Sequence, residues 1–590
     1  MNESGQRRWV AAVYSAVGAL IVAGPLLGPG YLLLRDAVST PRSYPTDSAL
    51  GLGDAAPRAV PQDALLATLS PVVDGGLIVK VVLVVALWAA AYGSAVLARE
   101  LLRASIGPQL VAATVALWNP YVAERLLQGH WSLLTGYAAL PWTALAAHRI
   151  RAGDRVGRGW GALAGSLAAA GLTPTGALLA GCTALVLVRP RHLPATLALW
   201  MAASAPWLTA TLLSGSAAAP SDPAGIAAFA ARAEPGLGTL GTLAGLGGIW
   251  NSEAVPDSRM TPLAAIGTVL LLVIVALGVR AVATDADEPD LRHVGRALLL
   301  LAAVAILFPA LGATTWGMHV LEWLVATVPG AGLLRDTQKY VALALPVYAL
   351  CAAAGCALLA RRFSADTTLP TTPATTPKTA RTAATATVAA VFVALLVLPL
   401  FDLAWGVGGA VQAVAYPSSW QRVAERVDGP GNIAVLPGGM FRKFRYSGAA
   451  PVLDPAPRML PNDVLQTGKL PVRGRTVAGE GTRAAEVETL LLQGGSASDL
   501  GRLGVGWVLV EHTTPGPLGA SATTLAQLEP RYQDPELALY RVPGVIELRG
   551  SSTTHRVLAC AAHFLWGAIL IAGPLIALGA RARSRTKTRG

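Results

Sequence analysis

The stretch GLIVKVVLVVALWAAAYGSAVLA, residues 76–98, decides the fold class of this chain. It carries one charged side chain, Lys80, and a helix of about 20 such residues crosses the hydrocarbon core of a bilayer. The whole 590-residue chain is 53% hydrophobic and only 14% charged. This composition places the chain among polytopic membrane proteins.

Apolar runs of similar length predict clear membrane spans at residues 9–33, 76–98, 105–122, 131–148, 193–213, 261–279, 297–314, 340–360, 387–408 and 556–580. The stretch from Trp160 to Val188 is too long for one ordinary span and contains Thr173-Pro174-Thr175. We therefore expect two short helices there, forming a hairpin. The predicted fold class is an α-helical polytopic membrane protein with about 12 transmembrane helices.

Basic residues cluster in the loops that these spans place on one side of the membrane, from Arg7 and Arg8 to the tail at 581–590. The positive-inside rule makes that side cytoplasmic, so both termini are predicted to be cytoplasmic. The net charge of +12 therefore indicates topology and not binding to nucleic acid. Abundant Ala, Arg, Gly and Pro beside scarce Lys are typical of GC-rich bacteria, so we expect a bacterial plasma membrane protein.

The four cysteines lie inside apolar runs, which suggests neither a disulfide framework nor a thiolate metal site.

We expect a multi-helix transmembrane domain over 1–408, with outer loops at 35–75, 214–260 and 315–339. A small extracytoplasmic α/β domain is expected over 409–555, because strand-like runs at Asn432–Leu436, Val505–Val510 and Leu537–Val542 are bounded by Gly and Pro. The final transmembrane helix follows at 556–580, and a basic cytoplasmic tail at 581–590.

The first polar cluster on the outer face is Arg35-Asp36, predicted to lie where helix one leaves the membrane, followed by Asp47, Asp54 and Asp63. A carboxylate held at a membrane surface can act as a general base, because a rigid element positions it and partial desolvation raises its basicity. The alternative is an interfacial ion pair between Arg35 and Asp36, which is the commoner role of an isolated aspartate.

Two further clusters are predicted on the same face. Glu124, Arg125 and His130 can line a polar cavity beside the first loop, with His130 donating to a substrate oxygen; the alternative is a solvated turn. Residues 335–340, Arg-Asp-Thr-Gln-Lys-Tyr, can form a pocket for a lipid-linked phosphate, which requires neutralising charge at the bilayer surface. The alternative there is snorkelling of the basic side chains to lipid headgroups.

Together these pieces resemble a known family. They are Asp36, the run from Asn119-Pro120-Tyr121 through Gly129-His130 to Leu140-Pro141-Trp142, the run Leu334–Tyr340, and Leu503–Val510 followed by Leu539-Tyr540. The chain resembles the YfhO-like and the actinobacterial arabinosyl- or mannosyltransferase-like membrane proteins of the GT-C glycosyltransferase fold. The likeness covers most of the chain through short, degenerate motifs.

The resemblance implies a transferase that passes a sugar from a polyprenyl-phosphate donor to an envelope glycan, glycolipid or protein on the outer face. Asp36 matches the catalytic acidic residue of the first outer loop in that family. The remaining residues with an implied substrate-binding role are Asp47, Glu124, Arg125, His130, Arg335, Asp336 and Lys339. Arg335 and Lys339 would stabilise the phosphate, and His130 or Glu124 would orient the sugar.

One departure from the family concerns acidic residues and metals. Many members carry paired acidic residues in the first loop, whereas here Asp47 must fold back to join Asp36. No metal-ligand set is therefore predicted, although the resemblance leaves a divalent cation possible.

A rival hypothesis is a non-catalytic transporter, flippase or assembly factor for envelope lipids or glycans. Such a protein would place charges in the middle of its helices and often show internal repeats. The polar groups of this chain cluster instead at one membrane face, which favours the transferase.

Overall fold

A computed structural model describes residues 3–54, 56–153, 157–214, 222–284, 288–328, 330–366, 377–472, 475–548 and 550–587. Parts of the predicted outer loops (55, 215–221 and 329), parts of the predicted α/β domain (473–474 and 549) and the end of the predicted basic tail (588–590) lie outside these ranges. The described chain is mostly helical, and a four-stranded sheet lies in its C-terminal third.

The helices up to residue 312 are α1 (Glu3–Ala23), α2 (Gln62–Leu69), α3 (Gly75–Leu102), α4 (Ile106–Leu117), α5 (Pro120–Gln128), α6 (Leu133–Arg151), α7 (Arg158–Ala170), α8 (Pro174–Leu187), α9 (Leu193–Ala203), α10 (Ala205–Leu213), α11 (Ala224–Ala228), α12 (Gly238–Ala244), α13 (Leu263–Ala283) and α14 (Pro289–Gly312). The later helices are α15 (Thr315–Thr327), α16 (Leu345–Asp366), α17 (Pro377–Val397), α18 (Ala404–Gly408), α19 (Ser419–Ala424), α20 (Ala456–Met459), α21 (Thr482–Leu492), α22 (Ala497–Arg502), α23 (Ser521–Leu525) and α24 (Thr553–Lys587).

Within the described residues, 7 helical segments are long and apolar enough to cross a membrane: Trp9–Leu27, Gly75–Leu102, Leu263–Ala283, Pro289–Gly312, Thr337–Ser364, Thr382–Gly408 and Thr553–Ala580. Helices α9 and α10 are bent by 66° relative to each other, and the number of such segments rises to 8 if this pair forms one span. Large apolar side chains on these helices stay exposed, among them Phe564 and Ile571 of α24, as expected for surfaces that face lipid. The chain is a multi-pass membrane protein.

The remaining predicted spans coincide with shorter or less apolar helices. The predicted hairpin at 160–188 is present as α7 and α8, and the Thr173 side chain caps α8 by accepting a hydrogen bond from the Gly176 amide at 3.0 Å. In the predicted span 105–122, helix α4 (Ile106–Leu117) has only 12 residues, most of them buried by neighbouring helices. Because neighbouring helices bury α4, its apolar composition alone does not make it a span. The count of about 12 stays a prediction.

The first predicted span, 9–33, is wrong at its C-terminal end. Helix α1 stops at Ala23, and the run GPLLGPG at 24–30 follows it. Pro25 cannot donate to the helix ladder, and Gly24 and Gly30 adopt positive φ angles of 45° and 113°. The chain then turns into a strand, so Asp36 does not lie at a helix end.

The strands are β1 (Tyr31–Leu34), β2 (Ala37–Val38), β3 (Ala413–Val414), β4 (Asn432–Leu436), β5 (Phe441–Arg442), β6 (Val452–Leu453), β7 (Leu470–Val472), β8 (Arg475–Val477), β9 (Val505–Glu511), β10 (Glu529–Gln533) and β11 (Leu537–Arg541). Strands β4, β9 and β11 confirm the three predicted strand runs. The larger sheet has the order β10-β11-β9-β4, in which β4 is parallel to β9 and the other pairs are antiparallel. Strand β1 pairs on one side with β2 and on the other with β3.

Helices α13 and α16 pack closely because small residues meet at their crossing. A Cβ atom on Gly278 would lie 1.9 Å from the carbonyl oxygen of Cys351 and 2.8 Å from the Gly355 amide nitrogen. Small residues that let backbones approach are a common device for helix association inside membranes.

We expect Gly278→Ala to lower the thermal unfolding midpoint of the detergent-solubilised chain by several degrees, because α13 and α16 must separate to admit the methyl group. Gly567→Ala is the matched control, since a Cβ on Gly567 meets nothing within 4 Å. Equal midpoints for Gly278→Ala and the wild type would contradict this packing.

Candidate active site

Asp36 lies in the two-residue turn of the hairpin formed by β1 and β2, where Leu34 pairs with Ala37. Its neighbour Arg35 has a φ of 47°, in the left-handed region that non-glycine residues rarely adopt. Outside the hairpin, the Leu453 amide of β6 donates to the Arg35 carbonyl at 2.8 Å. The C-terminal part of the chain therefore holds the turn that carries Asp36.

The opposite side of the turn rests on the end of helix α5. The Asp36 amide donates to the Gln128 carbonyl at 3.1 Å. Gly129, with a φ of 83°, ends the helix, and a Cβ there would lie 2.4 Å from both the Ala37 nitrogen and the Leu34 oxygen. Only glycine fits between helix and hairpin, so the Gly129-His130 pair brings the imidazole to Asp36.

The ring of His130 joins two charged groups. Its Nε2 atom lies 3.0 Å from Asp36 Oδ2, and its Nδ1 atom lies 3.0 Å from Nη1 of Arg125. Because a guanidinium can only donate, Nδ1 must accept, so the ring is neutral and its Nε2–H donates to Asp36. The Gln128 amide donates to the same carboxylate oxygen at 3.1 Å.

Both groups have shifted pKa values. Burial raises the pKa of Asp36, but the hydrogen bonds from His130 and Gln128 and the charge of Lys339 outweigh it, so the net pKa lies below 3.8. Burial lowers the pKa of His130 below 6.5, and the positive charges of Lys339 and Arg125 lower it further against the opposing effect of Asp36. At neutral pH the pair is a carboxylate beside a neutral imidazole.

Arg125 is fully buried and connects this pair to the loop before α16. Its Nη1 atom lies 2.9 Å from Asp336 Oδ2, and its Nη2 atom donates to the side-chain oxygen of Gln338. Lys339 Nζ lies 3.6 Å from the same Asp336 oxygen. A continuous chain of polar contacts therefore runs from Asp36 to Lys339.

Glu124 is buried on the far side of Arg125, away from the cavity. Its two carboxylate oxygens accept the backbone amides of Gly248 and Ile249, each at 3.0 Å. Burial and the nearby charge of Glu234 raise its pKa. Glu124 and Arg125 thus do not line a cavity as predicted; they support its wall from behind.

A cavity of about 1320 Å³ opens in front of Asp36 and His130. Arg335 lines it from the loop before α16 and Lys339 from the helical segment that begins at Thr337. The first loop, residues 35–75, and the C-terminal part of the chain close it from other sides. Such a volume exceeds the usual range for a drug-sized ligand and suits an extended substrate.

Asp47 does not join Asp36. It lines the same cavity, but its carboxylate pairs with the Arg556 guanidinium at 2.7 and 2.9 Å. Two further acidic residues of the first loop behave alike: Asp54 pairs with Arg483 at 2.5 Å and Asp63 with Arg458 at 2.9 Å. These ion pairs clamp the first loop to the C-terminal part of the chain.

Three residues that hold the site together were not predicted from the sequence: Gln128, Gln338 and Leu453. Gln128 and Gln338 fall inside the runs quoted for the family likeness, and that proximity was the available signal. Leu453 acts through its backbone amide, which leaves no signature in the sequence.

Across the described ranges, no three His, Cys, Asp or Glu side chains come together in a group able to hold a metal ion. The nearest partners of the Asp36 carboxylate, His130 and Gln128, both donate hydrogen bonds to it.

The chain has a GT-C-like fold, as its similarity to solved structures shows. Among solved structures, the chain is similar to arabinofuranosyltransferase AftD from mycobacteria, with a TM-score of 0.54 and 18% identity over 92% of this chain and 40% of that one. A mutant of the same enzyme gives a TM-score of 0.52 and 18% identity over 92% and 42%. The chain spans about two fifths of the length of these neighbours. No protein-family model and no curated protein matches it.

We expect Asp336→Asn to destabilise the fold by roughly 3 kcal/mol, because Arg125 and Lys339 lose the carboxylate that compensates them in a buried site. Asp428→Asn, the same change at an exposed position, should alter stability little. Chemical denaturation in mild detergent measures both. Equal stability of the two variants would show that the Arg125 network does not hold the site together.

Proposed function

We propose that this chain is a membrane glycosyltransferase that moves a sugar from a polyprenyl-phosphate-linked donor to a cell-envelope glycan, glycolipid or protein. The observation that carries the proposal is an ionised carboxylate, Asp36, held by a neutral imidazole at a large cavity that also presents Lys339 and Arg335. The GT-C-like fold supports the same class of reaction.

In the proposed reaction Asp36 is the general base. It accepts the proton of an acceptor hydroxyl, whose oxygen forms a bond to the anomeric carbon of the donor sugar as the bond from that carbon to the phosphate oxygen breaks. The electron pair leaves with the polyprenyl phosphate. Lys339 and Arg335 offer positive charge to this leaving group, which gains negative charge in the transition state.

His130 and Arg125 position this base. The Nε2–H of His130 fixes one carboxylate oxygen, which leaves the other oxygen of Asp36 to face the acceptor. The N–H group that Arg125 points at Nδ1 disfavours a proton on that nitrogen. His130 therefore stays neutral beside the Asp36 carboxylate.

The proposal includes a membrane topology. Both termini would lie in the cytoplasm of a bacterial cell, about 12 helices would enter the membrane, and residues 409–555 would form an extracytoplasmic α/β domain. The positive-inside pattern of the basic loops supports this orientation. Because β6 of that region contacts Arg35, the domain would help to shape the acceptor side of the cavity.

Asp36→Asn should abolish transfer while leaving the fold intact, because the amide keeps the shape but cannot accept a proton. The test is complementation of a deletion strain, read out as envelope glycans and lipid-linked sugars. Asp74→Asn serves as control, since Asp74 caps α3 and accepts from Tyr31 outside the cavity. Full rescue by Asp36→Asn would contradict the catalytic assignment.

The pH dependence of the rate follows from the two pKa values. Protonating His130 would place a proton on Nδ1 against Arg125, so the rate should fall only as the pH drops through a His130 pKa that lies below 6.5. Protonation of Asp36 itself should matter only below 3.8. We therefore expect a rate profile that is flat from roughly pH 7 to 8. An acid limb with a midpoint above 6.5, measured with purified protein, would contradict this electrostatic arrangement.

A further inference from the structure

Glu480 lies between two arginines at the wall of the cavity. Its Oε2 atom is 2.6 Å from Nη2 of Arg58, which belongs to the first outer loop, and its Oε1 atom is 3.8 Å from Nη2 of Arg335. The Glu480 and Arg335 side chains are 9% and 14% exposed, and all three residues line the cavity. None of the roles described above uses this arrangement.

Arg335 is held in place by its surroundings. Its guanidinium lies 5.8 Å from the centre of the Phe229 ring, and its Nε donates to the Gly332 carbonyl at 3.3 Å. Its Cδ packs so closely on Gly225 that a Cβ there would lie 2.9 Å away. The guanidinium is therefore presented to the cavity on a rigid support.

The charged form of Arg335 needs an anion nearby, because the side chain is largely buried and lies near a second arginine. Burial lowers the pKa of Arg335, the Arg58 charge lowers it further, and Glu480 and Asp222 oppose both effects. Asp222 is committed elsewhere, since its two oxygens accept the backbone amides of Ala224 at 2.9 Å and Ala478 at 2.7 Å. Among the described residues, Glu480 is thus the carboxylate that pairs with both arginines.

Two guanidinium groups converging on one carboxylate form an arrangement that also suits a phosphate, which offers more acceptor oxygens and more charge. We infer that Glu480 is a built-in counter-anion that occupies a phosphate-binding site between Arg58 and Arg335 in the substrate-free chain. The phosphate of the substrate displaces the Glu480 carboxylate on binding, and the carboxylate returns when the phosphorylated product leaves.

The position of Glu480 in the chain permits this exchange. It lies in the short connection between β8 and α21, where its carbonyl accepts from the Thr482 amide. The 3.8 Å separation from Arg335 exceeds hydrogen-bond length, so the carboxylate leaves that guanidinium incompletely paired. Lys339 lines the same cavity and influences the pKa of Asp36, which places cations along the wall from Glu480 towards the proposed base.

The inference rests on the proposed function for the identity of the ligand, a phosphate carried by a polyprenyl chain. The test measures binding of farnesyl phosphate to the full chain in detergent, with farnesol as the uncharged comparison. Glu480→Gln should bind farnesyl phosphate roughly threefold to tenfold more tightly than the wild type, because the competing charge is gone. Arg335→Gln should bind it at least about tenfold more weakly, and farnesol binding should not change.

Glu529→Gln is the matched control, an identical change in an exposed pair with Arg531 at 3.3 Å, and it should behave like the wild type. Competition by inorganic phosphate would identify a site for free phosphate, and its absence a site for lipid-linked phosphate; both keep the role of Glu480. Unchanged or weaker binding by Glu480→Gln would overturn the inference and make Glu480 a structural link.

A second measurement needs no variant. Displacement of Glu480 should reduce hydrogen-exchange protection of amides 478–482 in the wild type when farnesyl phosphate is added, and unchanged or increased protection would contradict it. In a chain that also carries Asp36→Asn, Glu480→Gln should still tighten the binding of farnesyl phosphate, although transfer is lost. If the wild type binds but never transfers, the proposed function fails alone; if it transfers and Glu480→Gln has no effect, the inference fails alone.

Discussion

The buried guanidinium of Arg125 is the constraint on which the site depends. A cation without solvent must be compensated, and here Asp336, Gln338 and His130 together provide its partners. This requirement joins α5 to the loop before α16, although Arg125 and Asp336 are separated by 211 positions in the sequence. It also leaves the imidazole only one way to bind, as a neutral ring that donates to Asp36. One buried charge thereby sets the tautomer of His130 and, through the Nε2–H of that ring, the hydrogen bond that orients the proposed base, Asp36.

The membrane-spanning helices alone do not complete this site. The turn that carries Asp36 lies between the end of α5 and strand β6, and a backbone hydrogen bond from Leu453 holds its strained residue, Arg35. Ion pairs between the first loop and the C-terminal part of the chain, such as Asp63 with Arg458, bring the two walls of the cavity together. Strain at a tight turn persists only where surrounding contacts over-determine it, and these contacts come from both sides.

Sequence patterns predicted the local features well. Strand β4 begins and ends at the residues expected from its apolar run, and Thr173-Pro174 marks the break between α7 and α8. The hairpin around Asp36 was not predictable from hydropathy, because β1 is as apolar as a helix and its partner β3 lies far along the chain. Likewise, the residues 124 and 125 look like cavity-lining charges until their buried partners are known. Composition reports how apolar a segment is, whereas long-range pairing decides what covers it.

The most direct test of the central claim is an experimental structure of the chain with a non-transferable donor, a polyprenyl phosphonate sugar, bound. We expect the phosphonate to lie against Arg335, with Arg58 and Lys339 as the neighbouring cations, and the anomeric carbon to face Asp36 with room for one acceptor hydroxyl about 3 Å from the carboxylate. A donor bound elsewhere, or one whose anomeric carbon faces away from Asp36 in the occupied cavity, would contradict it.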